Sequence, residues 1–231
     1  MKALLYKEFK LAMHPICYVF VALFPIMVLI PDGSYPRAIA FIYILSCYPI
    51  LFLGANKGQQ SNDLLYSTLL PVRKKDIVLA RIITVIVMQF SFMILCSCFY
   101  PIALLIRNFI MSGNDPETIE AIKPYGLGLD AFVLLLAFAI VGFAFADLIF
   151  FPIYYKNGKS IVLSTLLMIL GFAIYIIFCS IGIPQIVGVE TINSTPIGIQ
   201  FAALGGSLVV YALIHWLVYK ISSKRLEKVD F

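Results

Sequence analysis

Few side chains in this sequence are suited to chemistry, and their spacing argues against most of what they could do. The two histidines, His14 and His215, have no companion at metal-ligand spacing, and no carboxylate pair falls together within an apolar run. The five cysteines, Cys17, Cys47, Cys96, Cys98 and Cys179, all lie in apolar runs; Cys96 and Cys98 would point to nearly opposite sides of a helix. They read as buried free thiols. Gly158-Lys159-Ser160 matches the end of a phosphate-binding loop, but that motif needs a glycine where Ile153 stands, and a strand before it. No serine has the partner that an intramembrane nucleophile requires. The expectation is a non-catalytic chain with no cofactor of its own.

Asp130 and Asp147 are the only acids inside apolar runs. Asp130 falls in the first turn of a helix, where a carboxylate suits the positive end of the dipole. Asp147 lies toward the inner end of the same helix, and Lys156, Lys159 and the basic run at Arg73 are the partners considered for it. Structural pairing is the plain reading for Asp147, and a gating role is the sharper one. The midplane reads as uncharged, which disfavours proton relays and ion-coupled transport. Gln89 and Gln200 read as interhelical hydrogen bonders.

These residues sit on membrane helices. Hydrophobic residues make up 62% of the 231 and charged residues 13%, with a mean hydropathy of +1.00. A soluble domain is about 45–50% apolar and about 25% charged. A helix needs about 20 apolar residues to cross the hydrocarbon, and six runs qualify or nearly so, at about 16–30, 38–55, 78–106, 127–150, 160–183 and 198–220. The fold class is therefore all-α integral membrane protein with six transmembrane helices. One membrane domain, about 15–220, accounts for the chain apart from an N-terminal piece and a tail at 221–231. The net charge of +5 does not point to nucleic acid, because the basic residues cluster between the apolar runs. With the N-terminus inside, 14 of the 17 fall in cytoplasmic segments, leaving Arg37, Arg107 and Lys123 outside. That bias puts both ends in the cytoplasm.

Residues 1–14 form an amphipathic piece: Lys2, Lys7, Lys10 and His14 share one arc of a helix, and Leu4, Leu5, Phe9, Leu11 and Ala12 the other, with Glu8 intruding. Such a helix lies in the cytoplasmic interface. Between spans two and three, Ser61 or Asn62 can cap a short helix of about 61–70, with Asp63 in its first turn and Pro71 as its stop. Its leucine face needs a partner, either the headgroup region or another protein. Arg73, Lys74 and Lys75 follow, and Asp76 opens span three. The turn between spans four and five, "FFPIYYKNGKS", places Pro152 at the end of span four, with Tyr154 and Tyr155 at the interface.

The N-terminal "LLYKEFKLA", the six spans, the loop "LLYSTLLPVRKKDIVLAR" and the turn "FPIYYKNGKS" together resemble the permease subunits of type-two ABC exporters. In particular the chain is similar to bacterial permeases of the phenol-soluble modulin exporter type. That resemblance implies a non-enzymatic subunit in the bacterial plasma membrane, paired with a second permease chain of the same or another kind. Two separate ATPase subunits would bind beneath and hold the ATP and Mg. Residues 1–14 would be the elbow helix and 61–70 the coupling helix. Leu64, Leu65, Tyr66, Leu69, Arg73, Lys74, Lys75 and Asp76 would contact the ATPase, with Tyr154, Tyr155, Lys156 and Lys159 as a secondary contact. Alternating access would move amphipathic peptides or other lipophilic cargo. Two other functions fit the residues alone: a membrane anchor or assembly protein, and the disfavoured ion-coupled transporter.

Overall fold

A computed structural model of the chain describes residues 2–12, 15–29, 72–113, 129–157 and 161–228, and every regular element among them is helical. α1 (Lys2–Lys7) continues as a π-helical turn (Glu8–Ala12), and α2 (Pro15–Leu23) tightens into a 3-10 segment (Phe24–Leu29). α3 (Lys74–Gly113), α4 (Phe132–Asn157) and α5 (Ile161–Ile177) follow. The short α6 (Ile183–Val187) and α7 (Val189–Asn193) lead into α8 (Ile197–Glu227). Lys74–Ile110, Leu129–Lys156 and Ile197–Glu227 are long and apolar enough to cross a bilayer; Ile16–Leu29 and Ile161–Ile177 are apolar but shorter. Span two and the helix expected at 61–70 lie outside the described residues.

The boundaries differ from the hydropathy runs for local reasons. α3 starts at Lys74, before its apolar run, because the Asp76 N–H donates to the Arg73 carbonyl at 2.9 Å and the Asp76 carboxylate meets Arg73 Nε at 3.0 Å. The forty residues of α3 make a rod of about 60 Å, twice the hydrocarbon thickness of about 30 Å. Pro152 does not end span four as expected, since α4 runs through it to Asn157. A proline removes one helical N–H, a loss that membrane helices absorb where neighbours hold the next turn. Here Tyr154 and Tyr155 are buried in that turn, and Arg225 of α8 donates to the Pro152 carbonyl. Beyond α5 the chain continues through a π-helical turn (Phe178–Gly182) and α6 to Gly188, whose φ of 90° suits a residue without a β-carbon.

α4 is central, packing mainly on α8 and then on α5, while α3 packs on the 3-10 segment after α2 and on α8. Phe92 of α3 meets Phe143 of α4 edge to face at 6.2 Å between centroids. Gly142 lets α5 approach α4: a β-carbon there would stand 2.8 Å from Tyr175 Cε1 and 2.9 Å from Phe172 Cε2. Neither ring can yield easily, because Phe172 is buried and the Tyr175 hydroxyl donates to the Phe138 carbonyl at 2.8 Å. Gly142→Ala is expected to cost about 1–3 kcal/mol, read as a lowered thermal unfolding midpoint of the purified chain. At Gly171 a β-carbon would press chiefly on the flexible tip of Ile149, so Gly171→Ala should cost less. Equal costs would contradict this account of the α4–α5 contact.

Candidate functional site

Polar side chains gather at three levels of the bundle. The first is the end that carries the basic residues, where α1, α3, α4 and α8 meet. Leu4 packs against Ile77 and Ala80, so α1 is seated on the first turns of α3. Beside it the Arg81 guanidinium donates from Nε to Glu8 Oε2 at 2.9 Å, and from Nη2 to Glu8 Oε1 at 3.2 Å. Its Nη1 donates to the Tyr154 hydroxyl at 3.2 Å. Glu8 is 4% exposed and Arg81 5%. The acid that interrupts the apolar arc of α1 is thus the group that fastens it. Two turns earlier on the chain, Arg73 and Lys75 are exposed. The Asp76 hydrogen bond and charge raise the pKa of Arg73 above its ordinary value.

The second level lies inside the apolar section. Gln89 of α3 donates from Nε2 to Asp147 Oδ2 of α4 at 2.9 Å. His215 of α8 meets the same oxygen through Nε2, also at 2.9 Å. The Tyr211 hydroxyl donates to Gln89 Oε1, and His215 Nδ1 lies 2.9 Å from the Tyr211 carbonyl. Asp147 is fully buried. The two imidazole nitrogens thus face the Asp147 carboxylate and the Tyr211 carbonyl, which fixes the ring between α4 and its own preceding turn. Asp147 is two and a half turns from Lys156, about 14 Å along the axis, so ionisable groups do occupy the apolar interior.

The third level is at the opposite end. Arg107 of α3 grips Asp130 with two parallel bonds of 3.0 Å each, and Gln200 Nε2 donates to the Asp130 carbonyl at 3.1 Å. Among the described residues no three or more histidines, cysteines, aspartates or glutamates gather in a group that could hold a metal ion. All three levels fasten helices to one another. A family model described as "ABC-2 family transporter protein" matches residues 3–226. The chain belongs to the ABC-2 transporter family. No curated protein and no solved structure gives a significant match.

As an ABC-2 permease the chain is the membrane-embedded subunit of an ABC transporter, a multi-pass protein that works with an ABC ATPase. Of the residues singled out in its sequence, Arg73, Lys74, Lys75 and Asp76 lie together at the start of α3, whereas Leu64, Leu65, Tyr66, Leu69 and Lys159 lie outside the described residues. Tyr154 and Tyr155 are 6% and 0% exposed, and Lys156 is the exposed member of that group. Asp147 pairs with Gln89 and His215 inside the bundle, and Lys159, one of the partners considered for it, lies outside the described residues. Sequence reading missed His215 and Tyr211. The signal was present: an acid deep in an apolar run needs a polar companion at similar depth, and His215 is the histidine that lies within such a run.

Proposed function

We propose that this permease is half of an ATP-driven exporter in the bacterial plasma membrane, similar to the phenol-soluble modulin exporter permeases. Two ATPase subunits dock on the cytoplasmic side and a second permease chain completes the conduit. The reading is supported by the start of α3, where Arg73 and Lys75 are exposed, and by the sequence just before it, whose leucines recur at helical spacing. The Glu8–Arg81 pair couples that end of α3 to α1 and α4. A leucine face followed by cations suits a groove on a partner protein. Leu64, Leu65, Tyr66, Leu69 and the Arg73–Asp76 stretch form the main contact in this proposal, with Lys156 and Lys159 nearby. Closure of the ATPase pair on ATP shifts this end of α3 and alternates access to the two sides, which requires that the contact differ between open and closed ATPase. The apolar lining available to such a conduit suits amphipathic peptides or other lipophilic cargo.

The test is co-purification of the permease with its ATPase, together with ATP-dependent efflux of a defined amphipathic peptide from vesicles. Leu65→Asp or Leu69→Asp buries a charge at the contact and is expected to cost about 2 kcal/mol or more of binding, roughly thirtyfold. A complex that survives both changes with its efflux intact would remove the coupling-helix assignment. Efflux driven by a proton gradient in vesicles without ATPase would remove the ATP-driven reading altogether.

A further inference from the structure

One face of α8 changes character abruptly along its length. From Ile197 to Leu217 its exposed side chains are apolar, including Phe201, Val209, Leu213 and Trp216. That stretch rises about 30 Å, the thickness of the hydrocarbon core. Below it the exposed positions at four-residue spacing are Lys220, Lys224 and Lys228, while Tyr211, His215, Val218, Ser222 and Leu226 face the protein. Trp216 is 60% exposed, and Lys220 Nζ lies 4.9 Å from the centre of its ring. An exposed indole at the end of an apolar stretch marks the headgroup boundary.

Helix geometry sharpens this placement. Cα–Cβ bonds tilt toward the helix N-terminus, so lysines beyond the C-terminal end of the apolar stretch lean back toward the bilayer. Lys220 leans over Trp216 in this way. Lys224 starts about 10 Å beyond Leu217, and its long stem returns the ammonium to the headgroup layer, which extends about 5–8 Å past the hydrocarbon. Among the described residues of α8, Glu227 is the exposed acid at this end, and it lies three residues beyond Lys224, farther from the apolar stretch. The opposite end of the same face carries Ile197, Gly198 and Ile199, with no cation on that face of α8 among the described residues. Apolar tails against the stripe and a negative headgroup against two ammonium groups therefore complement the leaflet at the C-terminal end of α8.

We propose that Trp216, Lys220 and Lys224 form a binding site for an anionic phospholipid in the leaflet at the C-terminal end of α8. Its phosphate lies between the two ammonium groups and its acyl chains run along Leu213 and Val209. This site stands independently of the export reading and of which side of the membrane is cytoplasmic.

Trp216 is the one tryptophan in the chain, so its fluorescence reports contact at this position directly. The full chain is placed in phosphatidylcholine vesicles that contain, at equal mole fraction, either phosphatidylglycerol or phosphatidylcholine with brominated tails, and quenching is compared. Each lysine near an anionic surface contributes about fivefold. The pair is therefore expected to give a relative association constant between about fivefold and about twenty-five-fold higher for the brominated phosphatidylglycerol, diminishing as salt is raised. Lys220→Gln/Lys224→Gln is expected to bring the two lipids level while brominated phosphatidylcholine still quenches, which shows the face remains in lipid. Equal quenching of the unaltered chain by both lipids overturns the proposal. So does an absence of quenching by either, which would mean that a second protein copy covers the face. A preference that survives in the double variant overturns the assignment to these lysines.

Discussion

Replacing Arg81 with leucine is expected to release α1 from the bundle while the transmembrane helices stay folded. The change leaves the Glu8 carboxylate, 4% exposed, without the guanidinium that donates two hydrogen bonds to it. Lys7, 3.8 Å from Glu8, is a weak substitute at that distance. Stranding one member of a buried ion pair costs about 3–5 kcal/mol. Against this, burial of Leu4, the buried apolar side chain of α1, contributes about 1.5–3 kcal/mol. Leu5 and Phe9, partly buried against the same bundle, add to that figure, so the loss is comparable to what holds the segment, and undocking α1 to hydrate Glu8 competes with keeping it seated. Hydrogen exchange should show protection of residues 2–12 falling by roughly a hundredfold or more, as about 3 kcal/mol implies, while α4 and α8 keep theirs. The paired replacement Glu8→Leu/Arg81→Leu removes both charges and should restore much of the protection, because apolar substitutes of both partners are often close to neutral. Unchanged protection in Arg81→Leu would show that the ion pair does not hold α1.

The same pair marks what was legible in the sequence. Runs of about 20 apolar residues identify a helix wherever lipid is the solvent, because backbone groups there must be paired within the segment. α3, α4 and α8, long and apolar enough to cross a bilayer, accordingly overlap apolar runs of the sequence, as does the shorter α5. Their ends were less legible: Asp76 and Arg73 close a turn ahead of the apolar run, and α4 passes Pro152 on the strength of tertiary contacts that composition does not encode. Glu8 was visible as a misfit on an apolar arc, and a misfit of that kind calls for a buried cation. Tyr154 and Tyr155 were ambiguous for a physical reason. A tyrosine has an apolar body and a polar tip, which suits a membrane interface and equally suits a buried ring whose hydroxyl accepts from Arg81. Gln89, Asp147 and His215 come from three helices that are apolar almost all round. No periodicity reveals which faces meet in such helices, so the convergence of these side chains emerged only from packing.

That convergence sets the second large effect. Asp147→Leu is expected to destabilise the bundle by about 3–5 kcal/mol, because it removes the acceptor shared by Gln89 Nε2 and His215 Nε2. In that variant His215 Nε2 faces leucine inside the bundle, with the carboxylate it met gone. The neutral members of the network should matter much less. Interhelical hydrogen bonds within membranes average about 0.6 kcal/mol and reach about 1.7, so Gln89→Leu belongs near the upper value and Tyr211→Phe near the average. His215→Leu leaves the carboxylate with the Gln89 amide and should fall between Gln89→Leu and Asp147→Leu. In Asp147→Leu/His215→Leu the two losses should overlap, with a coupling energy of about 1–3 kcal/mol, since neither residue then strands the other. Chemical unfolding of the purified chain in micelles measures all five variants on one scale. If Asp147→Leu costs no more than Gln89→Leu, the pair contributes only as an ordinary hydrogen bond, and α4 and α8 are held by the apolar contacts around it. If the predicted order holds, the tightest helix contact in the bundle depends on a charge-compensated pair. Any movement between α4 and α8 during transport must then keep that pair together or replace its partners.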